Sequence, residues 1–268
     1  MPGFWHHENL ALRTVILTQF LPLLAEIFNS SLYPPGEQGG LFYGSGFDPS
    51  GHPVQRVGLA LEPWPALPEW LVTHRIDTLW LHRPWKLDRA SLPANVAVLY
   101  HHLPFDEHLT IGYNGWLAEA LGFSGTPKPL LEVIGYKAMP GYPERPIGMV
   151  GSEPQLDFRG WCQRIAHEFG GYEDAIPGRQ TVPGQIAVVG AMNPALIREA
   201  SERGVGLYLT GQYRKSAQQA VEETGMGVIA IGHRRSEEWG LRKLAQILAE
   251  IDLVVVMPDL ESPPSSDR

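Results

Sequence analysis

From Gln185 onward the chain alternates short apolar runs with helical patterns: QIAVVGA, PALIREASERG, VGLYLTG, RKSAQQAVEETG, GVIAIGH and SEEWGLRKLAQILAEI follow one another. Strands that alternate with helices of roughly 10–15 residues restrict the fold to α/β architectures with a parallel or mixed sheet. The first half carries the same signal less regularly. VQRVGLALE, IDTLWLH and VAVLYHH (Val54–Glu62, Ile76–His82, Val96–His102) are apolar runs that do not alternate cleanly, as expected of strands covered on both faces. YNGWLAEALGF (Tyr113–Phe123) and LDFRGWCQRIAHEF (Leu156–Phe169) have helical periodicity, and Gly122 supplies a helix stop.

Val15–Phe28 is too interrupted, by Gln19, Pro22 and Glu26, to span a membrane, and neither a basic cluster before it nor a small-residue cleavage site after it marks a signal peptide. Its apolar spacing predicts a core-packing helix. Asn29–Pro53, rich in Gly, Pro and Ser, reads as an extended loop with one short strand. A second cluster of prolines and glycines between Ser124 and Pro146 marks a boundary. The expected organisation is an N-terminal lobe over 1–135, a C-terminal lobe over 136–256 and a loosely attached tail over 257–268.

The chain has 21 basic and 29 acidic side chains, a formal charge of −8, which argues against a phosphate-driven nucleic-acid binder. Cys162 is the only cysteine, so no internal disulfide forms, and a reducing, cytoplasmic setting is the simplest expectation. It lies mid-helix in an apolar context and reads as a buried structural thiol. Phosphate loops of the Gly-Lys-Ser/Thr type, Gly-x-Gly-x-x-Gly turns and Gly-x-Ser-x-Gly elbows are absent from the sequence. His6 and His7 read as solvated.

The remaining chemistry gathers at strand ends. His82 ends TLWLH, His102 ends VLYHH and His233 ends GVIAIGH, and ligands bind open α/β sheets at the carboxyl ends of strands. His102 is followed four residues on by Asp106, and His233 four residues on by Glu237, so two imidazoles and two carboxylates are expected to converge on one cleft. Imidazole and carboxylate together bind zinc, iron or manganese. Taken singly, each histidine also fits an ordinary surface position.

LHRP at 81–84, HLPFD at 102–106, YLTGQ at 208–212 and GHRRSE at 232–237 together resemble the Nif-three-like proteins, also called GTP cyclohydrolase I type 2 homologues, over roughly Gly39–Ala249. The corresponding family motifs are His-His-Pro, His-Thr-x-x-Asp, Thr-Gly-Asp and Gly-His-x-x-x-Glu. The resemblance implies a two-lobed, three-layer α/β fold with mixed sheets and a metal cleft between lobes. It implies His82, Asp106, His233 and Glu237 as metal ligands, one or two divalent ions per chain, and a homo-oligomer, a toroidal hexamer. Two positions depart from the family. Arg83 stands where the second histidine of the first motif belongs, and Gln212 replaces the aspartate of the third. Arg83 either pairs with Glu237 and stands in for a second ion's charge, or turns outward; His101 or His102 is available as a substitute ligand.

The function expected from these residues is that of a divalent-metal-binding protein which hydrolyses a small molecule, with His102 and Glu237 as catalytic proton-transfer groups. The alternative is a non-catalytic metal-binding scaffold or regulatory protein whose dinuclear site has decayed.

Overall fold

The computed structural model describes residues 15–44, 48–123, 131–152 and 155–259; His6, His7 and the tail from 260 lie outside the described residues. Along the chain the elements are β1 (Val15–Ile16), α1 (Leu17–Ile27), β2 (Gly40–Tyr43), β3 (Pro53–Val54), β4 (Arg56–Ala60), α2 (Leu67–Thr73), β5 (Thr78–Leu81), β6 (Ala97–Tyr100), α3 (Leu103–Leu109) and α4 (Gly115–Leu121). There follow β7 (Glu132–Val133), β8 (Tyr136–Met139), β9 (Tyr142–Pro146), β10 (Gly148–Ser152), α5 (Phe158–Phe169), β11 (Asp174–Ile176), β12 (Gln185–Val189) and α6 (Pro194–Glu202). The chain closes with β13 (Leu207–Thr210), α7 (Gln218–Thr224), β14 (Gly227–Ala230), α8 (His233–Ala249) and β15 (Val254–Val256).

Two mixed sheets carry the fold. The first has the order β15-β4-β5-β6-β2, parallel except for β2, which runs antiparallel to β6. The second has the order β11-β14-β13-β12-β10-β7, with a parallel centre (β12, β13, β14) and antiparallel flanks. Both are covered on two faces, which is why their strands are nearly all apolar. On the first sheet Val57, Leu59, Trp80 and Leu99 face α1 and α8, while Ala60, Leu79, Leu81 and Val98 face α2. On the second, Ile186, Val188 and Leu209 pack with α4 and α5, while Ala187, Val189 and Tyr208 pack with α6 and α7.

Local chemistry fixes the helix ends. Asn114, Asp157 and Asn193 each accept a backbone N–H of the first turn of α4, α5 and α6, at 3.2, 2.7 and 2.9 Å, leaving fewer orphan donors. Gly122 and Gly170 end α4 and α5 in the left-handed conformation at φ 79° and 72°. Helix α1 does form as a core helix, around Pro22, with Leu17, Phe20 and Leu24 buried. Cys162 is half-buried on α5, not fully buried as the sequence suggests, because it sits at the margin of the cluster built on Trp161 and Ile165. None of the described helices is long and apolar enough to cross a membrane.

Helix α8 joins the two sheets. It starts just beyond β14 of the second sheet, buries Leu241, Leu244 and Leu248 against the first sheet and Trp239 against the second, and then delivers β15 to the first. It also crosses α3 at close quarters, because residue 240 is glycine: a Cβ there would lie 2.6 Å from the Leu109 carbonyl oxygen. That crossing brings the first turns of α3 and α8 together.

Candidate metal centre

Each candidate residue is carried by the end of a parallel strand or the helix that follows it. His82 and Arg83 directly follow β5, and their N–H groups continue the ladder to the carbonyls of Ala60 and Leu61 at 3.2 and 2.8 Å, so both directions are fixed by the sheet. His102 caps α3 and Asp106 lies one turn into it; His233 opens α8 and Glu237 lies one turn into it.

The structure brings these residues together. His82 Nε2 lies 3.3 Å from Asp106 Oδ1 and 3.2 Å from Glu237 Oε1, and the His82 side chain has no solvent exposure. His102 Nε2 is 3.8 Å from Asp106 Oδ2, and the His82 and His102 rings stack with centroids 4.9 Å apart. His82, His102 and Asp106 each offer a ligand atom within 4.8 Å of the others. His233 meets the cluster at its outer edge, 67 % exposed, with Nε2 2.9 Å from Glu237 Oε1.

Glu237 is saturated. The Arg83 guanidinium grips it with both ends, Nη1 to Oε1 at 2.6 Å and Nη2 to Oε2 at 2.7 Å, and Arg83 Nε donates to Glu62 Oε1 at 2.8 Å. Such a planar fork is available to arginine and not to histidine or lysine. Arg83 therefore pairs inward; the outward alternative is not what the chain adopts. Burial alone would raise the Glu237 pKa, but His233, His82 and Arg83 hold it well below the ordinary carboxylate range. Gln212 lies exposed beyond β13.

The protonation pattern suits a cation. His82 Nδ1 faces the His101 carbonyl oxygen at 3.2 Å, which accepts its proton and leaves Nε2 directed at the carboxylates. Burial opposes an imidazolium at His82, but Asp106 and Glu237 outweigh it and raise its pKa to about 9. A positive charge is thus favoured at Nε2, where a metal would also be favoured. His102 is shifted the other way, first by burial and then by the charges of His82 and Arg83, so it stays neutral and keeps a lone pair. His233 is raised by its contact with Glu237. His101 is no ligand. Its ring is buried against Phe28 at 4.5 Å and its Nδ1 accepts the indole N–H of Trp80 at 3.0 Å, so it orients His82 from behind.

The fit to a metal rests on two buried atoms that face each other at 3.3 Å. His82 Nε2 and Asp106 Oδ1 are buried, and neither makes a hydrogen bond of good geometry to any partner, although both are polar atoms that burial makes costly. A cation between them, completed by His102, satisfies both. Two imidazoles and one carboxylate form a ligand set that leaves further positions open for water or substrate.

Two contributors escape sequence reading. Glu62 stands just past β4, as the histidines stand past their strands, so its strand-end position was the available signal; Gly240 gives no local signal.

Comparison with known proteins places the chain in a family. Residues 17–264 match the model of Duf34/NIF3 (NGG1p interacting factor 3), and the chain belongs to that family. Curated relatives described as GTP cyclohydrolase 1 type 2 homolog include one from Neisseria meningitidis serogroup B, 26% identical over 62% of this chain and 63% of its own length. Another is from Chlamydia muridarum, 30% identical over 63% and 64%. The chain thus spans a little under two thirds of these relatives. Among solved structures, the protein ybgI, of unknown function, superposes with a TM-score of 0.68 at 21% identity, covering 93% of this chain and 100% of its own. Reduced HcgD from Methanocaldococcus jannaschii superposes with 0.66 at 17% identity, over 93% and 100%. Both share the fold.

Proposed function

We propose that this chain is a metal-dependent hydrolase of a small molecule, built on one divalent ion held by His82, His102 and Asp106. The observation that carries the reading is the buried convergence of His82 Nε2 and Asp106 Oδ1, 3.3 Å apart without a hydrogen bond of good geometry, beside a neutral His102. Zinc, iron or manganese suits this donor set. Of the four ligands the resemblance implies, Asp106 and His82 keep that role here, whereas Glu237 and His233 form a charged rim. A second ion beside Glu237 would meet the fixed guanidinium of Arg83 at short range, an unfavourable term in a partly buried site.

When bound, the ion supplies a Lewis acid and an acidified water at neutral pH. The chain's own residues do the rest. Glu237, clamped by Arg83, carries His233 at the solvent edge as a proton donor, its protonated form favoured by the carboxylate. His82 is held in register by the His101 carbonyl and cannot rotate away. Assembly as a homohexamer and a cytoplasmic setting complete the proposal, supported by the family resemblance and by the single cysteine.

Elemental analysis of protein purified without an affinity tag tests the centre: one ion per chain, lost in His102→Ala and in Asp106→Asn. Hydrolysis is tested with nucleotide and cyclic-amide substrates, where turnover abolished by Asp106→Asn with an unchanged circular dichroism spectrum is expected. A bound ion with no turnover on either class would favour the scaffold reading, which the saturation of Glu237 by Arg83 also accommodates.

A further inference from the structure

Of the residues in β8 and β9 only Arg145 is buried, its side chain 1 % exposed. That inverts the usual order, in which apolar side chains seat a strand and arginine stays at the surface. The two strands pair with each other and with no other described strand, and a lone two-stranded hairpin is marginal in water. This hairpin is seated by charge. Arg145 Nε donates to Glu107 Oε2 at 2.7 Å, and its cross-strand partner Lys137 donates through Nζ to Glu107 Oε1 at 3.1 Å. The Tyr33 hydroxyl donates to the same carboxylate at 2.8 Å, and the Arg145 guanidinium lies 4.5 Å over the Tyr33 ring.

Glu107 follows Asp106 on α3. Successive residues of a helix point in different directions, so α3 is held from three sides: Phe105 is buried in the core with Leu241 of α8, Asp106 faces His82, and Glu107 faces the hairpin. The helix has seven residues and no side-chain cap on its first turn, too little to keep its shape by its own hydrogen bonds. Its neighbours must supply the rest. The hairpin leaves the second sheet between β7 and β10, which pair with each other, and so fastens that sheet to a helix that follows β6 of the first.

We propose that Arg145 and Glu107 are positioning residues: the β8–β9 hairpin is a clasp on α3 that holds Asp106 in its approach to His82, so that seating of the hairpin and binding of a divalent ion at this group favour each other. The coupling to an ion rests on the metal reading given above; the hold on α3 does not.

The experiment uses the full chain and zinc alone as the probe. The double variant Glu107→Gln with Arg145→Met removes both charges and leaves neither buried and unpaired. Without zinc, hydrogen exchange read by mass spectrometry is expected to quicken over 103–109 as well as over 136–146. Zinc affinity, measured in competition with a chromophoric chelator, should fall about tenfold, within the ordinary span of coupling between sites. Because coupling is reciprocal, zinc should slow exchange over 136–146 in the parent. Arg145→Lys, which keeps the charge without the planar fork, should lose less on both counts. Tyr208→Phe, which deletes a hydroxyl donating to the Ala191 carbonyl at 2.7 Å on the face of the second sheet covered by α6 and α7, controls for stability and should leave zinc affinity unchanged. Faster exchange confined to the hairpin, unchanged zinc affinity in the double variant, or an equal loss in Tyr208→Phe would overturn the proposal. A parent that binds no zinc, or binds it as well after Asp106→Asn, sinks the metal reading instead, and exchange over 103–109 then decides the clasp by itself.

Discussion

Arg83 and Glu237, 154 positions apart, form a two-pronged ion pair at 2.6 and 2.7 Å beside the His82–His102–Asp106 group. The pair sits where the family's motif places a second imidazole, and it changes the charge balance there: a permanent cation on the protein replaces a neutral ligand.

Arg83→His is therefore expected to raise the metal content from one ion per chain toward two, measured by elemental analysis after dialysis against a micromolar divalent ion. Arg83→Leu should instead destabilise the fold by on the order of 2 kcal/mol, read by urea denaturation. That value lies below the roughly 3–5 kcal/mol of a fully buried broken pair, because Arg83 retains some exposure. Two ions per chain in the unaltered protein would contradict this account of Arg83.

Gly240 tests whether the α3–α8 crossing positions the site. Helix propensity alone favours alanine over glycine by about 1 kcal/mol. Here the new Cβ would meet the Leu109 carbonyl at 2.6 Å and Phe105 Cζ at 2.9 Å, and the carbonyl belongs to a helix backbone that cannot yield cheaply. Overpacking of this kind costs about 1–3 kcal/mol. Gly240→Ala should thus lose stability and also bind its ion more weakly, since Asp106 and Glu237 ride on the two helices forced apart. Unchanged ion affinity in a destabilised variant would separate the crossing from the site.

The strand–helix alternation and four of the clustered residues are legible in the sequence for the same reason: they depend on local signals. Gly122 marks a helix end within a turn of itself, and the repeated four-residue spacing of His102 with Asp106 and of His233 with Glu237 marks both pairs, although the short helix α3 that carries Asp106 is not itself foreseen. The hairpin β8–β9 is not legible, because a stretch rich in Pro and Gly reads as a boundary. What anchors it is remote: Arg145, buried in β9, pairs with Glu107 at 2.7 Å and lies over the Tyr33 ring at 4.5 Å. Nor does the sequence place β15 beside β4, a pairing settled by the length and direction of α8. Within the site, the direction of Arg83 depends on a partner in another sheet's helix, and the inward turn of His101 depends on Trp80. No pattern along the chain carries either.

Removing the ion should cost stability by mass action. A ligand that binds only the folded state adds about 2.7 kcal/mol at a hundredfold excess over its Kd. Thermal unfolding of the chelated and reloaded protein is expected to differ by several degrees, with the increment absent in His102→Ala and Asp106→Asn. An increment that survives both substitutions would place the ion elsewhere.

His101 supplies the pH dependence. Its ring is buried and accepts the Trp80 N–H, and burial depresses its pKa from the ordinary 6.5 to about 3. A depressed histidine is neutral in the fold and takes up its proton only on unfolding. Its contribution is fully present above pH 6.5 and is lost as pH falls through that value toward 3. Within that window the unfolded state binds one more proton, so this residue alone removes about 1.4 kcal/mol of stability per pH unit. Urea denaturation between pH 7 and 4.5 should show a steep loss in the parent and a shallower one in His101→Asn, which cannot titrate, whatever the starting stability of the variant. In the native protein the His101 ring proton should hold its NMR shift from pH 7 to 5 while that of His233 moves at higher pH, because Glu237 raises it. A His101 resonance titrating near 6.5 would mean that the ring is not sealed behind Trp80.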